Sequence, residues 1–294
     1  MHRTAALILL HAACAFASDF NGERALEYAR RAVEFGPRPP GSPAIASLQG
    51  FILRHLKSLR CQVTEDDFVA GTPRGPVRMK NILATFPGAS GRWIVVSGHY
   101  DTKIFPFRFV GANDGGSSTG FLMELARTLS GKPRRDTVVI ALLDGEEAFV
   151  QWSERDSLYG SRHLASLWER SGVLRRIRAL INVDMIGDRD LGIQTEVLST
   201  PWLRQLVWRT ARELGYERYF LSDEVATEDD HLPFLQKGVP AVNLIDFRYG
   251  GSGNRYWHTA EDTIDKLSAA SFQIVGDVVL RVLTRLEEDS SQKR

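Results

Sequence analysis

His99 and Asp101, Asp114, Glu146 and Glu147, Asp184, Asp229 to His231, and His258 are acidic and histidine residues that fall near the ends of apolar runs in this 294-residue chain. Their composition is that of a zinc site with mixed carboxylate and imidazole donors, with carboxylates left over to move protons. In His99-Tyr100-Asp101 the two donors share one face of an extended segment, so Asp101 can fix the far nitrogen of His99. Asp114 lies in Gly111-Ala112-Asn113-Asp114-Gly115-Gly116. Two oxygens allow it to cap the following helix, to ligate, or to do both. In Asp144-Gly145-Glu146-Glu147, burial calls for a cation or a proton, whereas a solvated turn calls for neither. If the segment is buried, Glu147 suits ligation and Glu146 proton transfer. Asp184 ends the apolar run Leu180-Ile181-Asn182-Val183 and needs a metal or a second carboxyl sharing a proton. Asp229-Asp230-His231, before Leu232-Pro233-Phe234, reads as a helix cap with one acid turned inward. His258 follows a loop containing Gly250, Gly251 and Gly253. Trp152 and Trp257 are pocket-wall candidates, although tryptophan more often serves packing alone.

The elements that must carry these residues alternate. Trp93 to Ser97, Thr137 to Leu143, Ile177 to Val183 and Val239 to Ile245 are short apolar runs of the kind that form inner strands covered on both faces. Two further strands are expected at Gln62 to Phe68 and Lys80 to Phe86. Helical spacing marks Asn21 to Phe35, Ile45 to Leu59, Gly115 to Leu129, Tyr159 to Arg170, Trp202 to Leu214 and Ser271 to Leu286. The alternation predicts a single-domain, three-layer αβα sandwich around a mixed, mostly parallel sheet, with its site at the carboxyl ends of the strands.

Lysines and arginines number 37 against 36 acids, so the formal charge of +1 gives no reason to expect a nucleic acid partner. Met1 to Ser18 reads as a secretory leader, residues 1–17, with Ala15-Phe16-Ala17 as the cleavage signal and residues 18–294 as the catalytic domain. Export to the periplasm or exterior is therefore expected. A lipoprotein anchor at Cys14 is disfavoured because His11 stands where an aliphatic residue belongs, and a stable membrane span is not expected. Loss of Cys14 leaves Cys61 alone and excludes an intramolecular disulfide. Walker, dinucleotide-binding, HExxH, paired CxxC and G-x-S-x-G patterns are absent.

The segments GHYDTK (98–103), GANDGGSS (111–118), LLDGEEAF (142–149), DSLYGSRHLA (156–165), NVDMIGD (182–188), DDHLPFLQKGVPAVNLI (229–245) and WHTAEDT (257–263) together resemble the zinc-dependent glutaminyl-peptide cyclotransferases. This resemblance covers nearly the whole chain after the leader, and it implies a fold shared with the di-zinc aminopeptidases. Gly98 and Thr119 occupy regions where the animal members carry a disulfide-forming cysteine pair, which suits a bacterial-type member. By resemblance, one Zn2+ is expected on Asp114, Glu147 and His258, with Glu146 carrying the proton. Asp184 and Asp229 are expected to form an acidic hydrogen-bonded pair beside it, and Trp152 and Trp257 wall the pocket. His99 and Asp101 stand behind the site or serve as alternative ligands. The substrates implied are peptides with N-terminal glutamine. The aminopeptidase pattern would instead set two zincs on His99, Asp114, Glu147, Asp184 and His258, with Asp114 bridging them and Glu146 as base. A non-catalytic peptide-binding protein on the same scaffold is the third reading.

Overall fold

The computed structural model describes residues 19–289, so the expected leader, residues 1–17, lies outside the described residues. The chain opens with α1 (Gly22–Glu34) and α2 (Pro43–Lys57), then a hairpin of β1 (Gln62–Thr72) and β2 (Gly75–Phe86). There follow β3 (Trp93–His99), α3 (Gly116–Leu129), β4 (Thr137–Leu143), α4 (Tyr159–Arg170) and β5 (Ile177–Asp184). The last part comprises β6 (Ile193–Glu196), α5 (Pro201–Glu213), β7 (Phe220–Val225), α6 (Leu232–Leu235), β8 (Ala241–Ile245) and α7 (Ala269–Asp289).

One six-stranded sheet has the order β1-β2-β4-β3-β5-β8. β4, β3, β5 and β8 run parallel, and β2 pairs antiparallel with both β1 and β4. Their β-branched runs suit strands buried on both faces, and the side chains alternate accordingly. Ile94, Val96, Ile140, Leu142, Ile181 and Val183 pack with residues of α1, α3 and α7. Val95, Val139, Leu143, Leu180 and Ala241 pack on the opposite face with Leu164, Ala165 and Trp168 of α4 and Phe234 of α6. The expected three layers are thus present. The paired strands β6 and β7 were not anticipated, whereas the helix expected after His231 is present as the four-residue α6. Polar positions such as Gln194, Thr195, Ser222, Asp223 and Glu224 hide the two strands. Among the described residues, no helix is long and apolar enough to cross a membrane.

β3, β4, β5 and β8 end on the same edge of the sheet, so His99, Asp184 and the turn after Leu143 converge there. Behind that edge α1 and α3 touch almost backbone to backbone. A Cβ on Gly120 would meet Ala25 O at 2.4 Å and Ala29 N at 2.7 Å. Gly120→Ala should therefore destabilise the fold at the upper end of the ~1–3 kcal/mol typical of overpacking. Gly71→Ala, at a position with nothing within 4 Å, should change stability by less than about 0.5 kcal/mol. Equilibrium denaturation of the two variants tests this, and equal effects would refute the close helix contact.

Candidate metal centre and substrate pocket

Asp114 reaches the site from the turn before α3, whose N-cap is Gly115 in the left-handed conformation (φ 78°) with no side-chain cap. A Cβ there would meet Asp101 O at 2.4 Å and His99 Cε1 at 3.1 Å, so glycine is required. The capping role open to Asp114 is not used, and its carboxylate instead faces two histidines. His99 Nε2 lies 3.2 Å from Asp114 Oδ1, and His258 Nε2 lies 3.3 Å from Asp114 Oδ2. His258 Nε2 is also 3.1 Å from Glu147 Oε1. Asp114, Glu147 and His258 thus offer donor atoms all within 4.8 Å of one another. Asp114 Oδ2 is buried and makes no hydrogen bond, because the His258 contact is out of line for one. A buried carboxylate oxygen without a partner, beside an imidazole and a second carboxylate, fits a divalent cation and suits zinc.

A second triad, His99, Asp114 and Asp184, shares Asp114 with the first. His99 Nε2 stands 3.2 Å from Asp184 Oδ1 as well as from Asp114. Burial opposes charge on His99, but Asp184, Asp101 and Asp114 outweigh it and raise its proton affinity well above the ordinary value. The expected support from Asp101 takes another form. His99 Nδ1 is 3.5 Å from Asp101 Oδ1 and forms no hydrogen bond. Asp101 instead accepts the backbone N–H groups of Glu146 (3.1 Å) and Glu147 (3.3 Å), fixing the turn that carries both glutamates.

Glu146 and Glu147 are buried rather than held in a solvated turn. Lys103 Nζ sits 3.1 Å from Glu147 Oε2, leaving Oε1 toward His258. Burial, then Glu147, Asp229 and Asp230, push Glu146 well above the carboxylate range, with His99 opposing. Burial pushes Asp184 up to about 7, with His99 opposing and Asp229 and Asp114 adding to the rise. Asp144, the other acid of that turn, points away and accepts from Lys80 N and the Gln49 amide.

Asp229 does not cap α6, whose N-cap His231 makes no side-chain bond. The Asp229 carboxylate is held by Asn182 Nδ2 at 2.9 Å and Asn243 Nδ2 at 2.7 Å. Asp184 and Asp229 line the same pocket, but the expected hydrogen bond between them is not formed: Asp184 Oδ1 faces His99, and Asp229 is held by the two asparagines. That pocket, about 490 Å³, opens over Asp114, Glu146, Glu147 and His258 and is walled by Trp152, Phe247 and Trp257. Trp257 stacks on His258 at 4.0 Å and 20°, and Trp152 Nε1 donates to Glu228 Oε2 at 2.8 Å.

Several supporting residues carry no sequence signal of their own. Arg38 is fully buried and donates to the carbonyls of Tyr100, Val110 and Gly111. Asp262 accepts the backbone N–H groups of Asn113 and Asp114. Lys103, Phe247 and the two asparagines are likewise missed. A lone cation between prolines, in Pro37-Arg38-Pro39, is the one hint, since a buried acidic cluster needs a positive charge somewhere.

Residues 81–283 match the model of peptidase family M28. A solved glutaminyl cyclase from an Acidobacteriales bacterium is 41% identical and superimposes with a TM-score of 0.88 over 92% of this chain and 96% of its own. The glutaminyl-peptide cyclotransferase of Bothrops jararaca is 34% identical over 79% of this chain and 74% of that protein. A glutaminyl-peptide cyclotransferase-like protein of Bos taurus is 33% identical over 77% of this chain, which spans 66% of the bovine length. With this fold and this edge of carboxylates and histidines, the chain belongs to peptidase family M28 and, within it, to the glutaminyl-peptide cyclotransferases.

Proposed function

We propose that this chain is a zinc-dependent glutaminyl cyclase that converts the N-terminal glutamine of peptides to pyroglutamate with release of ammonia. The observation that carries the reading is the meeting of Asp114, Glu147 and His258 at the floor of an aromatic pocket, with Glu146 beside them and outside the triad. Those three residues hold one zinc ion. When bound, zinc supplies a Lewis acid for the substrate's side-chain amide carbonyl, and its charge draws the raised proton affinity of Glu146 back toward neutrality.

Trp152, Trp257 and Phe247 hold the glutaminyl side chain and exclude water. Glu146 takes a proton as the substrate's α-amine forms its bond to the side-chain carbonyl carbon. Glu146 then returns that proton to the amide nitrogen as the carbon–nitrogen bond breaks, so ammonia leaves and the lactam remains. Asp229 orients the α-amine, and Asp184 with His99 and Asp101 supports the floor of the pocket. Residues 1–17 act as an export leader, which places residues 18–294 in the periplasm or outside the cell. The second triad, His99, Asp114 and Asp184, favours one other reading, a di-zinc aminopeptidase.

A Gln-initiated peptide separates the two. Ammonia with a full-length, N-terminally blocked product is expected, and a free N-terminal amino acid would establish the aminopeptidase instead. Glu146→Gln should lower kcat by about 10²–10⁴-fold while bound zinc stays at the wild-type level. Normal turnover in that variant would remove Glu146 from proton transfer.

His258 is raised to about 9, because Asp114 and Glu147 overcome the effect of burial. His258 therefore carries a proton at pH 7 and must lose it to ligate. Zinc affinity should rise about tenfold per pH unit from pH 6 toward 9 for each proton released. Calorimetry in buffers of different ionisation enthalpy should give about one zinc per chain and at least one proton released. Affinity that does not change with pH would contradict ligation through His258.

A further inference from the structure

On the sheet face beneath α4 and α6, a polar row interrupts an apolar pattern. Val139, Val95, Leu180 and Ala241 are register partners across β4, β3, β5 and β8, and all are buried apolar residues. Two residues further along the same strands the partners are Ala141, Ser97, Asn182 and Asn243. The strands end one row beyond, with His99 on β3 and Asp184 on β5. The polar row therefore lies directly beneath the site.

Ser97, Asn182 and Asn243 are fully buried, and a buried amide without partners is costly. Here each is bonded to the next. Ser97 Oγ donates to Asn182 Oδ1 at 2.8 Å, which fixes the amide so that its Nδ2 donates. Asn182 Nδ2 then donates to Asn243 Oδ1 at 3.1 Å and to Asp229 Oδ1 at 2.9 Å. The first of these bonds fixes the second amide, and Asn243 Nδ2 donates to Asp229 Oδ2 at 2.7 Å. The Asp230 backbone N–H also donates to Asp229 Oδ1. A carboxylate oxygen has two lone pairs, so these bonds fill Oδ1 and leave one acceptor position on Oδ2. Asp229 lines the pocket, where that position can meet an N–H of the substrate.

We propose that Ser97, Asn182 and Asn243 are positioning residues that aim Asp229 Oδ2 at the substrate's α-amine, and that this row governs turnover without touching metal or substrate. The proposal rests on the cyclase reading for its reaction. Its geometric content, a carboxylate aimed at a peptide's α-amine, applies equally to an aminopeptidase. Holding the amine's direction of approach is an orientation effect, so its loss should appear in kcat rather than KM.

The test compares Asn182→Leu, Asn243→Leu and Ser97→Ala with Val242→Ala, a buried β8 residue on the opposite face of the sheet. Zinc content, melting temperature, kcat and KM are measured for each on the same Gln-initiated peptide. Each leucine variant should lose about 10–100-fold in kcat with KM within about threefold of wild type and zinc unchanged. Ser97→Ala, one bond further from Asp229, should lose several-fold. Val242→Ala should lower the melting temperature and keep kcat within about twofold.

Folded, zinc-loaded asparagine variants with kcat within twofold of wild type would overturn the proposal, as would Val242→Ala losing kcat in proportion to its stability. If neither leucine variant folds, Ser97→Ala decides alone by the same criterion. A wild-type enzyme that releases an amino acid instead of ammonia would refute the cyclase reading. The same kcat ratios, taken on hydrolysis, would then still judge the row.

Discussion

The buried guanidinium of Arg38 is the contact on which the acidic edge of the sheet rests. Its donors reach the carbonyls of Tyr100, Val110 and Gly111, so one side chain fixes both the end of β3 and the loop that presents Asp114. Burial lowers its proton affinity, but Asp262, Asp101 and Asp114 resist the change and the value stays at about 10. Arg38 thus remains charged at neutral pH. A buried positive charge retained at neutral pH helps carboxylates to gather in a place that water screens poorly.

Within that field the acids divide by their neighbours, because burial acts on them all. Burial raises Asp114, but His258 and His99 outweigh it and hold the carboxylate far below its ordinary range. Glu146, equally enclosed, has Glu147, Asp229 and Asp230 around it and His99 as the main opposition, so it rises. Asp262, behind Asp114, is pushed up to about 7 by burial and then by Asp114 itself. A carboxylate that stays charged and one that holds its proton more tightly arise side by side on one sheet edge through placement rather than residue type.

The strands were legible because β-branched runs such as Trp93 to Ser97 and Thr137 to Leu143 suit only a doubly covered sheet. The acids were legible because they terminate those runs. What the sequence hid was pairing across distance. Asp101 looked like a partner for its neighbour His99, yet its hydrogen bonds go to Glu146 and Glu147 on another strand end. Asp114 and Asp229 stand where local chemistry also allows helix capping, and tertiary contacts take both carboxylates elsewhere. Asn182 and Asn243 lie within apolar runs and carry no signal of their own. Their meaning appears only when β5 and β8 are set in register.

The two triads share Asp114 but are not equivalent, and the difference lies in what already satisfies their oxygens. In the first, Lys103 holds the outer oxygen of Glu147, His258 is 20% exposed at the pocket, and Asp114 Oδ2 has no hydrogen bond. In the second, His99 is enclosed and its Nε2 lies between Asp114 Oδ1 and Asp184 Oδ1, already supplying positive charge to both. An incoming cation meets an unsatisfied oxygen at the first triad. Both triads carry a histidine whose proton must leave before it can ligate, and at the second the enclosed His99 is held by Asp184, Asp101 and Asp114 together. His258 is also held at φ 56°, an unfavourable backbone conformation for a residue other than glycine, and its ring is braced by stacking on Trp257. Backbone strain kept by packing at His258, together with an Asp114 oxygen left without a partner, supports Asp114, Glu147 and His258 over the second triad as the proposed metal position.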